Sequence, residues 1–225
     1  TVVSIGTTLP EVMVSATSAL SGHGEIAYGN AIGSVICNTS LIAALTVAIR
    51  PTDVDKSTLR IPTLFFFVSA IFYALIAYTT GFFARWVGIV LLLLFVVYMV
   101  LTVRQATRMP KVELTEEEKE AENNPLWKDL VLLVVGAALI AIGANLLVDN
   151  GTKIAEALGV PEAVIGLTLV ALGTSLPELV TAITSLVKGH SALSLGNIIG
   201  ANLFNLVLVS GLSSTLKPFT IPEDS

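Results

Sequence analysis

The feature that most constrains the fold of this 225-residue chain is an internal duplication. A shift of 167 positions aligns GTTLPE at residues 6–11 with GTSLPE at residues 173–178. The same shift aligns GNAIGSVICN at 29–38 with GNIIGANLFN at 196–205. Over the full aligned stretch, 18 of 46 positions are identical. Identities that recur in separate motifs at one constant offset indicate that the chain contains two copies of one structural unit.

Long apolar runs indicate that both copies lie in a membrane. Hydrophobic residues make up 54% of the chain and charged residues only 13%, whereas about a quarter of a soluble domain is charged. Runs such as 89–103 and 130–144 extend to about 20 residues, the length that crosses the hydrocarbon core of a bilayer. The composition therefore predicts an all-α, polytopic membrane protein.

Seven segments have the length and hydropathy of transmembrane helices, or nearly so. They are residues 1–20, 26–49, 60–79, 82–103, 127–149, 160–187 and 191–216. The connections between them are short except for 104–126, which is charged and predominantly acidic. We therefore predict a first repeat half at 1–103, an acidic linker at 104–126 and a second repeat half at 127–225.

The helix count predicts that the two repeats have opposite orientations. Five predicted helices separate the start of one repeat from the start of the other, and an odd number reverses the direction in which the copy enters the membrane. Inverted repeats are typical of secondary transporters, whose binding site lies near the bilayer midplane between the repeats.

The distribution of Lys and Arg predicts which side of the membrane each loop faces. When the loops are assigned alternately, one side carries Arg50, Lys56, Arg60, Arg104, Arg108, Lys111, Lys119, Lys128 and Lys188, and the other carries Arg85, Lys153 and Lys217. Because cytoplasmic loops are enriched in Lys and Arg, the linker at 104–126 is predicted to be cytoplasmic.

Other functional classes lack the residues that they need. The net charge of −5 argues against a nucleic-acid partner, which requires a basic surface. An intramembrane protease would need a paired Asp motif or an HExxH helix, and the sequence has neither. A cation channel remains an alternative, because it would bind the same ions without exchanging them.

Two glutamates are the strongest candidates for a functional site. Glu11 and Glu178 occupy equivalent positions in otherwise apolar helices. A carboxylate at the centre of a bilayer costs at least about 2.5–3.5 kcal/mol, so it is rare there without a function or a partner. Neither repeat helix carries a Lys or Arg to neutralise it. One divalent cation would balance both charges.

Prolines next to these acids predict broken helices with free oxygen atoms. Pro10 and Pro177 have no N–H to donate to the carbonyls of Gly6 and Gly173,. The hydroxyls of the motif residues add further oxygen ligands: Thr7, Thr8, Thr174 and Ser175. Oxygen atoms of this kind suit Ca²⁺, which takes six to eight of them, and Na⁺.

The second motif of each repeat predicts close helix packing and further ligands. Gly29 and Gly33, and their counterparts Gly196 and Gly200, have the small-xxx-small spacing that lets helices approach,. Amide oxygens are supplied by one face of each helix, at Asn30, Asn38, Asn197 and Asn205,. Ser34 adds a hydroxyl in the first repeat, whereas its counterpart Ala201 cannot.

These paired motifs resemble the two α-repeats of the cation/calcium exchanger superfamily, most closely its prokaryotic sodium/calcium exchanger branch. The resemblance implies a ten-helix inverted-repeat fold that exchanges Na⁺ for Ca²⁺ in a prokaryotic cell membrane, without a cofactor. In that scheme the chain would hold the second through eighth helices. Coupling to H⁺ or K⁺ instead of Na⁺ stays open as an alternative.

The resemblance also implies a set of ion-binding positions. They are Thr7, Thr8, Glu11, Ser34 and Asn38 in the first repeat, Thr174, Ser175, Glu178 and Asn205 in the second, and the backbone carbonyls of Ser4 and Ala171. Two positions depart from the family pattern. Ala201 stands where a serine is frequent, so we expect one Na⁺ subsite to be weaker or rebuilt. Asn205 replaces an Asp found in some prokaryotic members, so the site keeps two carboxylates.

Overall fold

The computed structural model describes residues 2–49, 56–108, 126–188 and 191–221, which are almost entirely helical. In the first half, the elements are α1 (Val2–Thr7), α2 (Leu9–Ser21), α3 (Gly24–Cys37), a π-helical turn (Asn38–Ala43), α4 (Ala44–Ile49), α5 (Lys56–Thr80), β1 (Phe82–Phe83) and α6 (Arg85–Arg108). In the second half they are α7 (Leu126–Ala157), α8 (Glu162–Ile165), a π-helical turn (Gly166–Val170), α9 (Ala171–Thr174), α10 (Leu176–Val187), α11 (Ser191–Phe204), a π-helical turn (Asn205–Val209), α12 (Ser210–Leu216) and β2 (Phe219–Thr220).

Helices occupy all seven predicted segments. Among the described residues, four continuous stretches are long and apolar enough to cross a membrane: Gly24–Ile49, Leu59–Thr80, Arg85–Thr107 and Ser194–Leu216. A fifth is Gly166–Thr174 with Leu176–Val187, which bends by 45°. The other two predicted segments correspond to α1 with α2, and to α7, which has 32 residues. The protein is an integral membrane protein.

The helix before the predicted linker extends into it. Helix α6 continues to Arg108, five residues beyond the last apolar position of the predicted span. Arg, Gln and Ala are good helix formers, so the helix extends past the apolar segment that defines the membrane crossing. Residues 109–125, most of the predicted linker, lie outside the described residues.

Contacts between the repeats confirm that they are inverted. In α4, Thr46 Oγ1 lies 3.4 Å from the Oγ of Ser194, which is near the start of α11. At the opposite end, a Cβ added to Gly24 at the start of α3 would overlap Phe219, which follows α12. The two helical segments α3–α4 and α11–α12 therefore run antiparallel.

An aromatic cluster joins α5 and α6 to the second repeat. The rings of Phe83 and Phe219 stack with centroids 5.4 Å apart, and Tyr73 contacts Phe83 at 4.6 Å. Strands β1 and β2 pair antiparallel here, with Phe82 opposite Thr220. This pairing brings the loop before α6 to the segment after α12, so the two lie at the same end of the helices.

Candidate cation-binding site

Both glutamate helices are broken one turn before the acid. Helix α1 ends at Thr7, and Thr8 (φ −83°, ψ 0°) separates it from α2, whose second residue is Pro10. In the second repeat Ser175 (φ −83°, ψ 2°) separates α9 from α10 in the same way. The breaks that the prolines predict are therefore present, and they direct the short motif segments into the space between the repeats.

The two glutamates are bridged by hydroxyls of the opposite repeat. Glu11 and Glu178 are both 0% exposed. Ser175 Oγ donates to Glu11 Oε1 over 3.3 Å, and Thr8 Oγ1 donates to Glu178 Oε1 over 3.4 Å. Because each carboxylate accepts from a hydroxyl on the other repeat, the two acids belong to one site at the repeat interface.

Several buried polar atoms around these acids have no hydrogen-bond partner among the residues that the structure describes. They are the second carboxylate oxygens, Oε2 of Glu11 and Glu178, and both amide atoms of Asn38 and Asn205. Nine buried polar groups in ten are hydrogen-bonded in native proteins, and leaving one unsatisfied costs about 1–3 kcal/mol. A bound cation would take these unpartnered carboxylate and amide oxygens as ligands.

Two π-helical turns begin at the paired asparagines. One starts at Asn38 and packs against α10, which carries Glu178. The other starts at Asn205 and packs against α2, which carries Glu11. Such turns are rare and often occur at functional sites. Both asparagines are ligand candidates from the sequence, but the turns are not predicted by it.

The hydroxyls of the second repeat form a hydrogen-bonded network with α3. Thr174 Oγ1 donates to Asn30 Oδ1 over 2.9 Å and lies 3.5 Å from Ser34 Oγ. Asn30 Nδ2 in turn donates to Ser15 Oγ over 2.8 Å and to the Glu11 carbonyl over 3.3 Å. Asn30 thus positions the glutamate backbone of its own repeat against a threonine of the other.

The backbone carbonyls of Ser4 and Ala171 lie one turn before the breaks. Each accepts the N–H of the break residue, from Thr8 over 3.0 Å and from Ser175 over 3.0 Å. Each also accepts a threonine hydroxyl, from Thr7 over 3.4 Å and from Thr174 over 3.2 Å. All eleven ion-binding positions that the family resemblance implies are buried.

Close packing across the repeat interface depends on two of the motif glycines. A Cβ added to Gly33 would overlap the Leu167 carbonyl oxygen and lie 2.6 Å from Ala171 Cβ. A Cβ added to Gly200 would lie 2.5 Å from Ser4 Oγ. The close approach predicted for these two glycines is therefore confirmed. At Gly196 it is not found, since nothing among the described residues lies within 4 Å of its added Cβ.

The donor set defines the ions that the site could hold. The described residues contain no group of three or more His, Cys, Asp and Glu side chains that could hold a metal ion. The site instead combines two carboxylates with neutral amide, hydroxyl and carbonyl oxygens. Such oxygen ligands match hard cations such as Ca²⁺, and not metals such as Zn²⁺ or Cu²⁺, which prefer thiolate and imidazole.

Known proteins share both the sequence and the fold. The sodium/calcium exchanger protein family matches residues 1–104 and 128–225. The chain is 37% identical to a putative antiporter CaxA of Alkalimonas amylolytica, covering 98% of this chain and 70% of that protein. It is 39% identical to the inner membrane protein YrbG of Escherichia coli K12, covering 97% and 68% respectively.

A solved structure shares the fold of this chain. A structure of the sodium-calcium exchanger NCX_Mj, soaked with Na⁺ and Sr²⁺, superimposes with a TM-score of 0.73 at 36% identity and covers 100% of this chain and 72% of that one. The matched family is one of ion transporters and not of enzymes. With its inverted repeats and two buried glutamates, the chain belongs to the sodium/calcium exchanger family.

Proposed function

We propose that this chain forms the core of an antiporter that exchanges Na⁺ for Ca²⁺ by alternating access at the repeat interface. The observation that carries the proposal is the pair Glu11 and Glu178, each buried, each bonded through Oε1 to the opposite repeat and each with Oε2 unpartnered. The family and the fold shared with NCX_Mj support cation/calcium antiport.

The proposed ligand set is the one that the resemblance implies. It comprises Glu11, Glu178, Thr7, Thr8, Ser34, Asn38, Thr174, Ser175, Asn205 and the carbonyls of Ser4 and Ala171. Its support is that these groups are buried on elements that pack against one another across the interface. The two carboxylates supply two negative charges, which balance a single Ca²⁺.

Exchange follows from sharing these oxygens. Ca²⁺ and Na⁺ would compete for the same carboxylates, so that each ion leaves before the other is bound. In inverted-repeat transporters, access alternates by movement of one repeat or bundle against the other around the site. The glutamate helices are broken beside the acid, and irregular backbone at this depth is tolerated where it lines a cavity.

We further propose that the protein lies in a prokaryotic inner membrane with 104–126 on the cytoplasmic side. The positive-inside distribution supports this orientation, and the relative YrbG is an inner membrane protein. The division into repeat halves at 1–103 and 127–225 is supported by the duplication.

Competition between the two ions tests the shared site. For the purified full-length protein, we expect Na⁺ to raise the apparent Kd for Ca²⁺ by about tenfold or more, without changing the number of Ca²⁺ bound. Titration calorimetry of Ca²⁺ at increasing Na⁺, with K⁺ and pH series as controls, measures this. If only H⁺ or only K⁺ weakens Ca²⁺ binding, that ion takes the role proposed for Na⁺. Ca²⁺ binding that none of the three ions changes would contradict a shared site.

A further inference from the structure

The two repeats differ in which site positions carry a hydroxyl. Position 4 is Ser in the first repeat, and its counterpart at 171 is Ala. Position 34 is Ser, and its counterpart at 201 is Ala. All four residues are buried at the repeat interface, each at most 1% exposed. Two otherwise equivalent halves of one site therefore contain different hydrogen-bond donors.

In the half around Thr174, the threonine hydroxyl is engaged. Ala171 has no side-chain donor, and the oxygen of Asn30 accepts from Thr174 over 2.9 Å. Ser34 lies 3.5 Å from the same hydroxyl. The position of Thr174 is thus fixed by two residues of the first repeat.

In the half around Thr7, the equivalent asparagine, Asn197, accepts a hydrogen bond from a residue other than the threonine. Asn197 Oδ1 accepts from Ser4 Oγ over 2.8 Å, and the same hydroxyl is 3.3 Å from the Asn197 carbonyl. Thr7 donates instead to the Ser4 carbonyl over 3.4 Å, a long and weak bond.

We infer that Ser4 is a positioning residue that makes the two halves of the site inequivalent. Its hydroxyl donates to Asn197 Oδ1, so that Thr7 lacks the asparagine bond that holds Thr174 and its hydroxyl is left available to the ion. The inference rests on the proposed function of this site. Its consequence is that Thr7 contributes more to cation binding than Thr174, although the duplication places them equivalently.

Ser4→Ala is the informative substitution. It keeps the backbone carbonyl, and alanine is the residue that the second repeat carries at the equivalent position. It also removes Ser4 Oγ, the atom that a Cβ added to Gly200 would meet, so the substitution does not crowd the helix that carries Gly200. Without the Ser4 hydroxyl, Asn197 is expected to accept from Thr7, as Asn30 accepts from Thr174, and Thr7 is withdrawn from the ion.

A double-mutant cycle separates positioning from general structural support. In the full-length protein, we expect Ser4→Ala to weaken Ca²⁺ binding about three- to tenfold, the factor that one hydrogen bond contributes. In a Thr7→Ala background the same change should have no further effect, because residue 4 acts through Thr7. The KM for Ca²⁺ in transport should rise by the same factor while the maximal rate stays near that of the wild type.

The matched control is Ser213→Ala, which removes a buried hydroxyl that bonds within its own helix, to the Val209 carbonyl over 2.8 Å. It should leave Ca²⁺ affinity unchanged. Ser4→Cys, which keeps a side chain of similar size with only a weak donor, should reproduce Ser4→Ala if the alanine variant folds poorly.

The outcomes distinguish this inference from the proposed function. Equal losses in the wild-type and Thr7→Ala backgrounds, or no loss in either, would overturn the positioning role of Ser4 while leaving the site in place. Wild-type protein that binds no Ca²⁺, or Glu178→Gln protein that binds it normally, would overturn the proposed function itself.

Discussion

Glu178→Gln is expected to abolish Ca²⁺ transport, lowering its rate by at least about a hundredfold. The amide keeps the shape of the side chain but removes one of the two negative charges. At an effective dielectric constant of about 20, a unit charge a few ångströms from another contributes roughly 4 kcal/mol, and Ca²⁺ carries two charges. Uptake of ⁴⁵Ca²⁺ into proteoliposomes that contain the full-length protein measures the loss.

Two further variants make this result specific. Glu11→Gln should behave like Glu178→Gln, because the two acids are equivalent by the duplication and equally buried. Glu156→Gln makes the same chemical change at an exposed position on α7 and should transport at the wild-type rate. Near-normal transport by folded Glu178→Gln protein would remove this residue from the site.

Gly33→Ala is expected to destabilise the interface between the two repeats. Its new Cβ would meet the Leu167 carbonyl oxygen, which is backbone, and the Cβ of Ala171, both in the other repeat. Overpacking of this kind costs about 1–3 kcal/mol. We expect a lower Tm for the purified full-length protein, with transport reduced because the repeats are forced apart.

Gly196→Ala is the matched control, since it alters a glycine of the equivalent motif whose added Cβ meets nothing within 4 Å in the described part of the chain. Gly200→Ala should have an intermediate effect, because its close neighbour is the side chain of Ser4 and not backbone. Thermal unfolding of the three variants, followed in one detergent, compares them. Equal stability of Gly33→Ala and Gly196→Ala would contradict the packing described at the interface.

Much of the fold was predictable because it repeats itself. The constant offset between the motifs indicated a duplication, and the odd number of helices between them indicated inversion. Pro10 and Pro177 predicted the helix breaks, since a missing N–H has a local and unavoidable effect. Glu11 and Glu178 were prominent because a membrane-buried charge is costly.

Other features depend on tertiary packing and have no local sequence signal. The π-helical turns at Asn38 and Asn205 follow from how α3 and α11 fit against the opposite repeat, not from the propensity of the residues. Small-xxx-small spacing suggested close packing at Gly196, yet spacing does not show which glycine faces another helix. The amide bridges of Asn30 and Asn197 likewise require the two repeats to be positioned together.

The central claim is that Ca²⁺ transport is driven by Na⁺ through one site shared between the repeats. The most direct measurement is ⁴⁵Ca²⁺ uptake into proteoliposomes containing the full-length protein, under an imposed Na⁺ gradient, with a pH gradient and a K⁺ gradient as controls. We predict uptake that follows the Na⁺ gradient alone and is lost in Glu178→Gln. Uptake that follows only another gradient, or none from folded protein, would contradict Na⁺/Ca²⁺ exchange at this site.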